Sequence, residues 1–293
     1  MKRATNGKRW RLWAVIVALL LAVSAAVGVL AVKGDWRYRL GNAFRLYPPI
    51  CLRTVTPTDE WYARSLNALA QEEGVVFSDD LILVREGAPI PNDWSPALTE
   101  VNGSFMQLAT AEAFARLRDY VYAETETNIL ITSAYRSPEE QLTEYEKRGE
   151  EIAARPGESE HETGLALDVC VKWYGSMSFL KTRAGRLVNN ECARFGFIIR
   201  YPQGKETETG FAYEPWHLRY VGALHAEIIM RHGLTLEAYF SMLSPDVWYR
   251  FGDYLVMRSA QEDPLLPSDF SECRVSSADG AYRIFTVLCS NLV

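Results

Sequence analysis

Residues 159–171 read SEHETGLALDVCV, and the fold turns on how this stretch is read. Its first half is polar and closes on Gly164, the residue type that most easily turns a chain through the left-handed region. Its second half alternates, so Ala166, Asp168 and Cys170 share one face of a strand. On the N-terminal side, NILITSAYR (128–136) reads as a buried strand. SPEEQLTEYEKRG (137–149) follows as a helix, with Ser137 as cap, Pro138 as first residue and Glu140 as the reciprocal capping partner. On the C-terminal side, residues 183–195 form a helix stopped by Gly196. FIIRYP (197–202) and GFAYEPWHLRYV (210–221) are two strands joined by the polar loop QGKETET, a hairpin. Helices complete the frame at 110–125, where Ala113, Phe114, Leu117, Val121 and Tyr122 recur at helical spacing, and at 221–233, with a short one in TLEAYF (235–240). Helices mixed with hairpin-linked strands make the class α+β, a small antiparallel sheet flanked by helices.

The rest of the 293 residues is organised around this domain, which spans 78–242. LILV (81–84) reads as a short apolar strand at its start, and residues 243–293 as a small β appendage of short strands around turns. Residues 33–77 read as a stalk carrying a short helix in WYARSLNALAQEEG (61–74). Ahead of it, 12–32 are twenty-one residues without a charge, enough at about 1.5 Å each to cross a hydrocarbon core of about 30 Å. The preceding tail, 1–11, holds Lys2, Arg3, Lys8, Arg9 and Arg11 and no acid. That asymmetry predicts a single-pass signal-anchor helix in the cell membrane, the tail cytoplasmic and all that follows outside. Small residues at Ser24, Ala25 and Ala26 keep a cleaved signal peptide as the alternative.

With 48% hydrophobic and 23% charged residues the chain has the composition of a globular protein rather than a disordered one. Lys plus Arg number 31 against 37 Asp plus Glu; without the five bases of the tail, 26 face 37, a charge of −11. So acidic a body excludes nucleic acid, whose affinity comes mainly from Lys and Arg. Five cysteines, an odd number at irregular spacing, define no disulfide framework, and Cys170 and Cys192 are expected as small apolar packing groups.

Only four histidines are present, which makes their positions informative. His161 precedes Asp168 by seven residues, with the glycine turn between; His217 follows Glu214 by three. A catalytic zinc takes three ligands from His and Asp/Glu and keeps a fourth position open for water. His161, Asp168 and His217 supply that set if their strands are neighbours. Zinc lowers the pKa of water from about 15.7 to near 7, and Glu214 then stands where a general base and acid is needed. Arg136, at a strand end, offers a fixed and always-charged fork to a carboxylate or an oxyanion. His225 and His232, seven apart on the last helix of the domain, are expected as surface or capping residues.

Three segments occur in order. SAYRSPEEQ (133–141) comes first. Ser159, His161, Gly164, Ala166 and Asp168 fit S-x-H-x-x-G-x-A-x-D, and Glu214, Trp216 and His217 fit E-x-W-H. Over residues 81–242 the chain resembles the VanY-type zinc D-alanyl-D-alanine carboxypeptidases, peptidase family M15B of the LAS-type metallopeptidases. The resemblance implies one zinc ion held by His161, Asp168 and His217, Glu214 as general base and acid, and Arg136 stabilising the anionic intermediate or holding substrate. It implies substrate-contacting or site-ordering roles for Gln141 and Ser159, and a packing role for Trp216 beneath the site. The implied substrate is a peptidoglycan stem peptide or its precursor, trimmed of its C-terminal D-alanine. An L,D-carboxypeptidase acting on tetrapeptide stems needs the same machinery, and an endopeptidase needs a cleft open at both ends. A non-catalytic wall-binding module would have lost a ligand or the base; all four positions are filled here.

Overall fold

The computed structural model describes residues 16, 36–43, 45–56, 64–71, 74–150, 152–267 and 270–289, in two compact units, Met1–Arg45 and Leu46–Val293. In the first unit the helix Trp36–Ala43 is described. The expected membrane span at 12–32 lies, but for Ile16, outside the described residues. Among the described residues no helix is long and apolar enough to cross a membrane.

The second unit is built on an antiparallel four-stranded sheet in the order Ile129–Ser133, Ala166–Val171, His217–Tyr220, Phe197–Ile199. Strand alternation divides its faces. Leu167, Val169, Leu218, Phe197 and Ile199 point one way, into a core completed by the helices Leu108–Thr125 and Arg183–Glu191. Each such side chain, when fully buried, contributes about 1.5–3 kcal/mol. From the first helix this core takes Ala113, Phe114, Leu117 and Val121, as the spacing predicts. Tyr122 is exposed, because it lies about 100° around the helix from Val121. The opposite face of the sheet carries Asp168 and His217, and at its edge strand Ile198 packs with the helices Ala223–His232 and Leu236–Met242.

The local signals around the site are realised. Ser137 Oγ accepts the N–H of Glu140, and Glu140 accepts that of Ser137, closing the capping box of the helix Pro138–Arg148. The helix expected at 183–195 is α-helical over Arg183–Glu191 and tightens to a 3₁₀ turn, Cys192–Phe195, before Gly196. Residues 81–84 are buried but form no strand. Leu81 N–H donates to Ser276 Oγ and Leu83 N–H to the Ala278 carbonyl, so the segment is tied to the C-terminal region by isolated bonds instead of a ladder.

The C-terminal residues form most of a second, six-stranded sheet, in the order Arg53–Val55, Trp248–Phe251, Tyr254–Ser259, Arg283–Cys289, Phe270–Ser277, Val75–Ser78. The edge strand Arg53–Val55 and all but the last residue of Val75–Ser78 come from the segment read as a stalk, and Val75–Ser78 pairs in parallel. His225 departs from expectation. It is buried on the inner side of its helix, with Nδ1 2.7 Å from Tyr239 Oη and Nε2 3.0 Å from Thr286 Oγ1, because that helix packs between the two sheets instead of over their outside. His232 is half-buried, its Nδ1 2.8 Å from the Pro48 carbonyl.

Candidate metal centre

Asp168 and His217 are direct cross-strand partners, the placement that brings two side chains on one sheet face closest. His217 Nδ1 lies 3.0 Å from Asp168 Oδ1. His161 reaches the same point from the 3₁₀ turn Glu160–Thr163, its Nε2 3.5 Å from Asp168 Oδ2. Gly164 makes this possible: it ends the turn at φ 72°, and a Cβ there would lie 2.8 Å from Leu98 Cδ2. The other nitrogen of His161, Nδ1, is 2.7 Å from the Ala134 carbonyl at the end of the neighbouring strand. A carbonyl only accepts, so Nδ1 carries the proton and the Nε2 lone pair faces inward.

One ligand atom from each of His161, Asp168 and His217 therefore lies within 4.8 Å of the others. Two imidazoles and a carboxylate, nearly buried and with their ligand atoms converging, are the donor set of a three-ligand zinc site with one position left for water or substrate. Both histidines are almost wholly enclosed, while Asp168 keeps part of its side chain exposed toward a cleft of about 630 Å³. Burial alone would raise the Asp168 carboxyl. The charges and hydrogen bonds of His161 and His217 reverse this and hold it far below the usual carboxylate range.

Glu214 lines the same cleft, its Oε2 3.8 Å from His217 Nδ1. Burial raises its pKa above the ordinary carboxylate value, and the charge of Asp168 adds to that, against the pull of His217, Arg136 and Arg148. A carboxylate shifted upward beside an open coordination position is suited to take and return a proton. Arg136 is fixed at both ends: its backbone N–H donates to the His161 carbonyl, and Nη1 donates to Gln141 Oε1 at 2.7 Å. Gln141 is buried and spends its amide on the Ala154 carbonyl, so it orients the arginine and part of the cleft wall. Ser159 is buried at the start of the 3₁₀ turn, its carbonyl accepting the Glu162 N–H. Trp216 packs against the sheet core, and its carbonyl accepts the Val169 N–H, locking the strand pair that carries the ligands. All eight predicted site residues thus line one cleft.

The sequence reading missed what stands behind them. Glu160, Arg200 and Arg219 are buried beneath the cleft as an ion-paired cluster, and Tyr201 packs against His217 with the rings tilted by 43° and their centroids 4.9 Å apart. A signal was available for Arg219, two residues after His217 on a strand and hence on the same face.

The family described as VanY, D-alanyl-D-alanine carboxypeptidase, matches residues 103–223, a range that holds the three candidate ligands and Glu214. The bifunctional D-Ala-D-Ala dipeptidase and D-Ala-D-Ala carboxypeptidase VanXYC of Enterococcus gallinarum is 38% identical over 135 residues, 42% of this chain and 71% of that protein. The chain belongs to the VanY family. The protein YodJ of Bacillus subtilis is 35% identical over 182 residues, 55% of this chain; the match spans 66% of the YodJ length. Among solved structures, the LD-carboxypeptidase LdcB, described in connection with peptidoglycan recognition, is 34% identical. It covers 55% of this chain and 86% of its own, with a TM-score of 0.51. As a VanY-family protein the chain has an α+β peptidase fold, and the family match contains none of the strands of the six-stranded sheet.

Proposed function

We propose that this protein is a zinc-dependent D-alanyl-D-alanine carboxypeptidase that removes the terminal D-alanine from peptidoglycan stem peptides. One observation carries the reading: His161, Asp168 and His217 converge on one point with Glu214 beside them, in one cleft. When bound there, zinc supplies Lewis-acid activation of a water and of the peptide carbonyl. The residues do the rest. Glu214 accepts the proton of the attacking water on a carboxylate oxygen and returns it to the amine nitrogen as the C–N bond breaks. Arg136, held by Gln141, presents its guanidinium to the negative charge of the substrate terminus or of the developing oxyanion. The D-Ala-D-Ala dipeptidase and carboxypeptidase activities of the Enterococcus gallinarum relative support the substrate class.

Incubation of the full-length chain with a pentapeptide stem should release D-alanine, cease with a chelator and resume with added zinc. Activity indifferent to chelation would end the metal reading. The likeness to LdcB supports a second reading, L,D-carboxypeptidase action; release from a tetrapeptide and not from a pentapeptide would establish it over the first. The basic tail and the charge-free run at 12–32 support a cell-membrane anchor with the catalytic domain outside. Protease added to intact cells should then remove the domain; full protection would overturn that placement.

A further inference from the structure

Two buried polar atoms in the molecule face each other without partners. Glu160 Oε2 and His217 Nε2 make no hydrogen bond, are complementary in type, and lie 3.6 Å apart. The other oxygen of Glu160 is heavily engaged: Oε1 accepts from Arg200 Nε at 2.7 Å and from Arg219 Nη1 at 2.8 Å. Every nitrogen of both guanidinium groups is in use. Arg200 also grips Glu237 through Nη1 and Nη2 at 3.0 and 2.6 Å. Arg219 donates to the carbonyls of Tyr220, Asp80 and Ile82. Both arginines are fully buried. They are committed to framework groups and aim Glu160 at one target.

We propose that Glu160 is a positioning residue for the metal centre: its Oε2 receives the Nε2–H of His217 and so keeps the Nδ1 lone pair of that imidazole turned toward the cation. This rests on the metal reading above. The two histidines are then held unequally. His161 leans on the neutral Ala134 carbonyl, whereas His217 has a carboxylate behind it, which makes its imidazole the stronger donor. The clamp also joins the site to its surroundings. Arg200 ties Glu160 to Glu237 on the helix Leu236–Met242, and Arg219 ties it to the buried segment at 80–82.

The test is Glu160→Gln in the full-length chain, which keeps the size of the side chain and removes its charge. Zinc affinity, read by competition with a chromogenic chelator, should weaken about 10–100-fold. The ¹⁵N shifts of His217 should report a loss of the fixed tautomer, while far-UV circular dichroism shows the fold retained. Should that variant fail to fold, Glu160→Asp takes its place. It keeps the charge and withdraws it by one methylene, and is expected to weaken zinc at least about tenfold. A merely structural carboxylate would lower the melting temperature and leave affinity and tautomer alone; a folded variant with wild-type zinc affinity overturns the proposal. Wild-type protein that takes up no zinc would overturn the metal reading itself, so the two failures are told apart.

Discussion

His217 and His225 are equally buried, each about 4% exposed, yet their surroundings drive them in opposite directions. Burial pushes the His225 imidazolium down to about 3, since Tyr239 and Thr286 offer only neutral hydroxyls and the charge of Arg274 adds to the push. Burial opposes the His217 imidazolium too, but the hydrogen bond to Asp168 and the nearby carboxylates of Glu160 and Glu214 outweigh it and raise the pKa to about 9. Depth alone suppresses positive charge. At His217, where three carboxylates converge, that effect is reversed; at His161, beside Asp168 alone, burial still prevails. One region is a hydrogen-bonded seam between a helix and the C-terminal sheet; the other is a binding site.

The most severe test of this contrast is to remove the carboxylate that both candidate ligand histidines share. Asp168→Asn should lose zinc by metal analysis and reduce D-alanine release to background, far beyond the ~10–100-fold of an outer contact. Retained zinc at wild-type affinity would show that the contrast has another origin. Glu214→Gln sharpens it further by separating coordination from proton transfer. Hydrolysis should fall by about 10²–10⁴ while zinc content stays unchanged, as seen by comparing turnover with bound metal.

On the other side of the comparison, His225 predicts an acid-sensitive seam. Its folded pKa lies below the unfolded value of 6.5, so the unfolded chain binds the extra proton first. Its contribution is complete above about pH 6.5 and is lost as pH falls toward 3. Between pH 7 and 4.5 this group should remove about 2–3 kcal/mol, read from urea unfolding at each pH, and His225→Gln should flatten that part of the profile. An unchanged profile in the variant would assign the acid loss elsewhere. The smallest effect concerns the turn that swings His161 into place. Gly164→Ala forces a side chain into positive φ against Leu98, at a cost on the order of 1–3 kcal/mol by thermal unfolding.

Much of the site was legible because its chemistry is local in the sequence. The glycine turn between His161 and Asp168, and the run from Glu214 to His217, each place functional groups through a period or a turn that the residues themselves impose. The helix cap at Ser137 is local in the same way. What could not be read were relations between distant segments. Glu160 sits in plain view between Ser159 and His161, but its task depends on Arg200 and Arg219, forty and fifty-nine residues away. His225 looked like a surface residue because the sheet that covers it is built from strands whose pairing is not encoded in any one window. Residues 53–55 and 75–77 read as parts of a stalk for the same reason: an edge strand shows its role only against its neighbour.

The sequence by itself determined which side chains could hold a metal, which carboxylate could move a proton, and on which faces of which strands they stand, because side-chain type and strand alternation are properties of the chain. Only the tertiary structure decided the cross-strand register of Asp168 with His217, the arginine-clamped Glu160 behind them, and the burial of His225 under the C-terminal sheet. Those depend on which surfaces come to exclude water from one another, and that choice is made by the packed molecule as a whole.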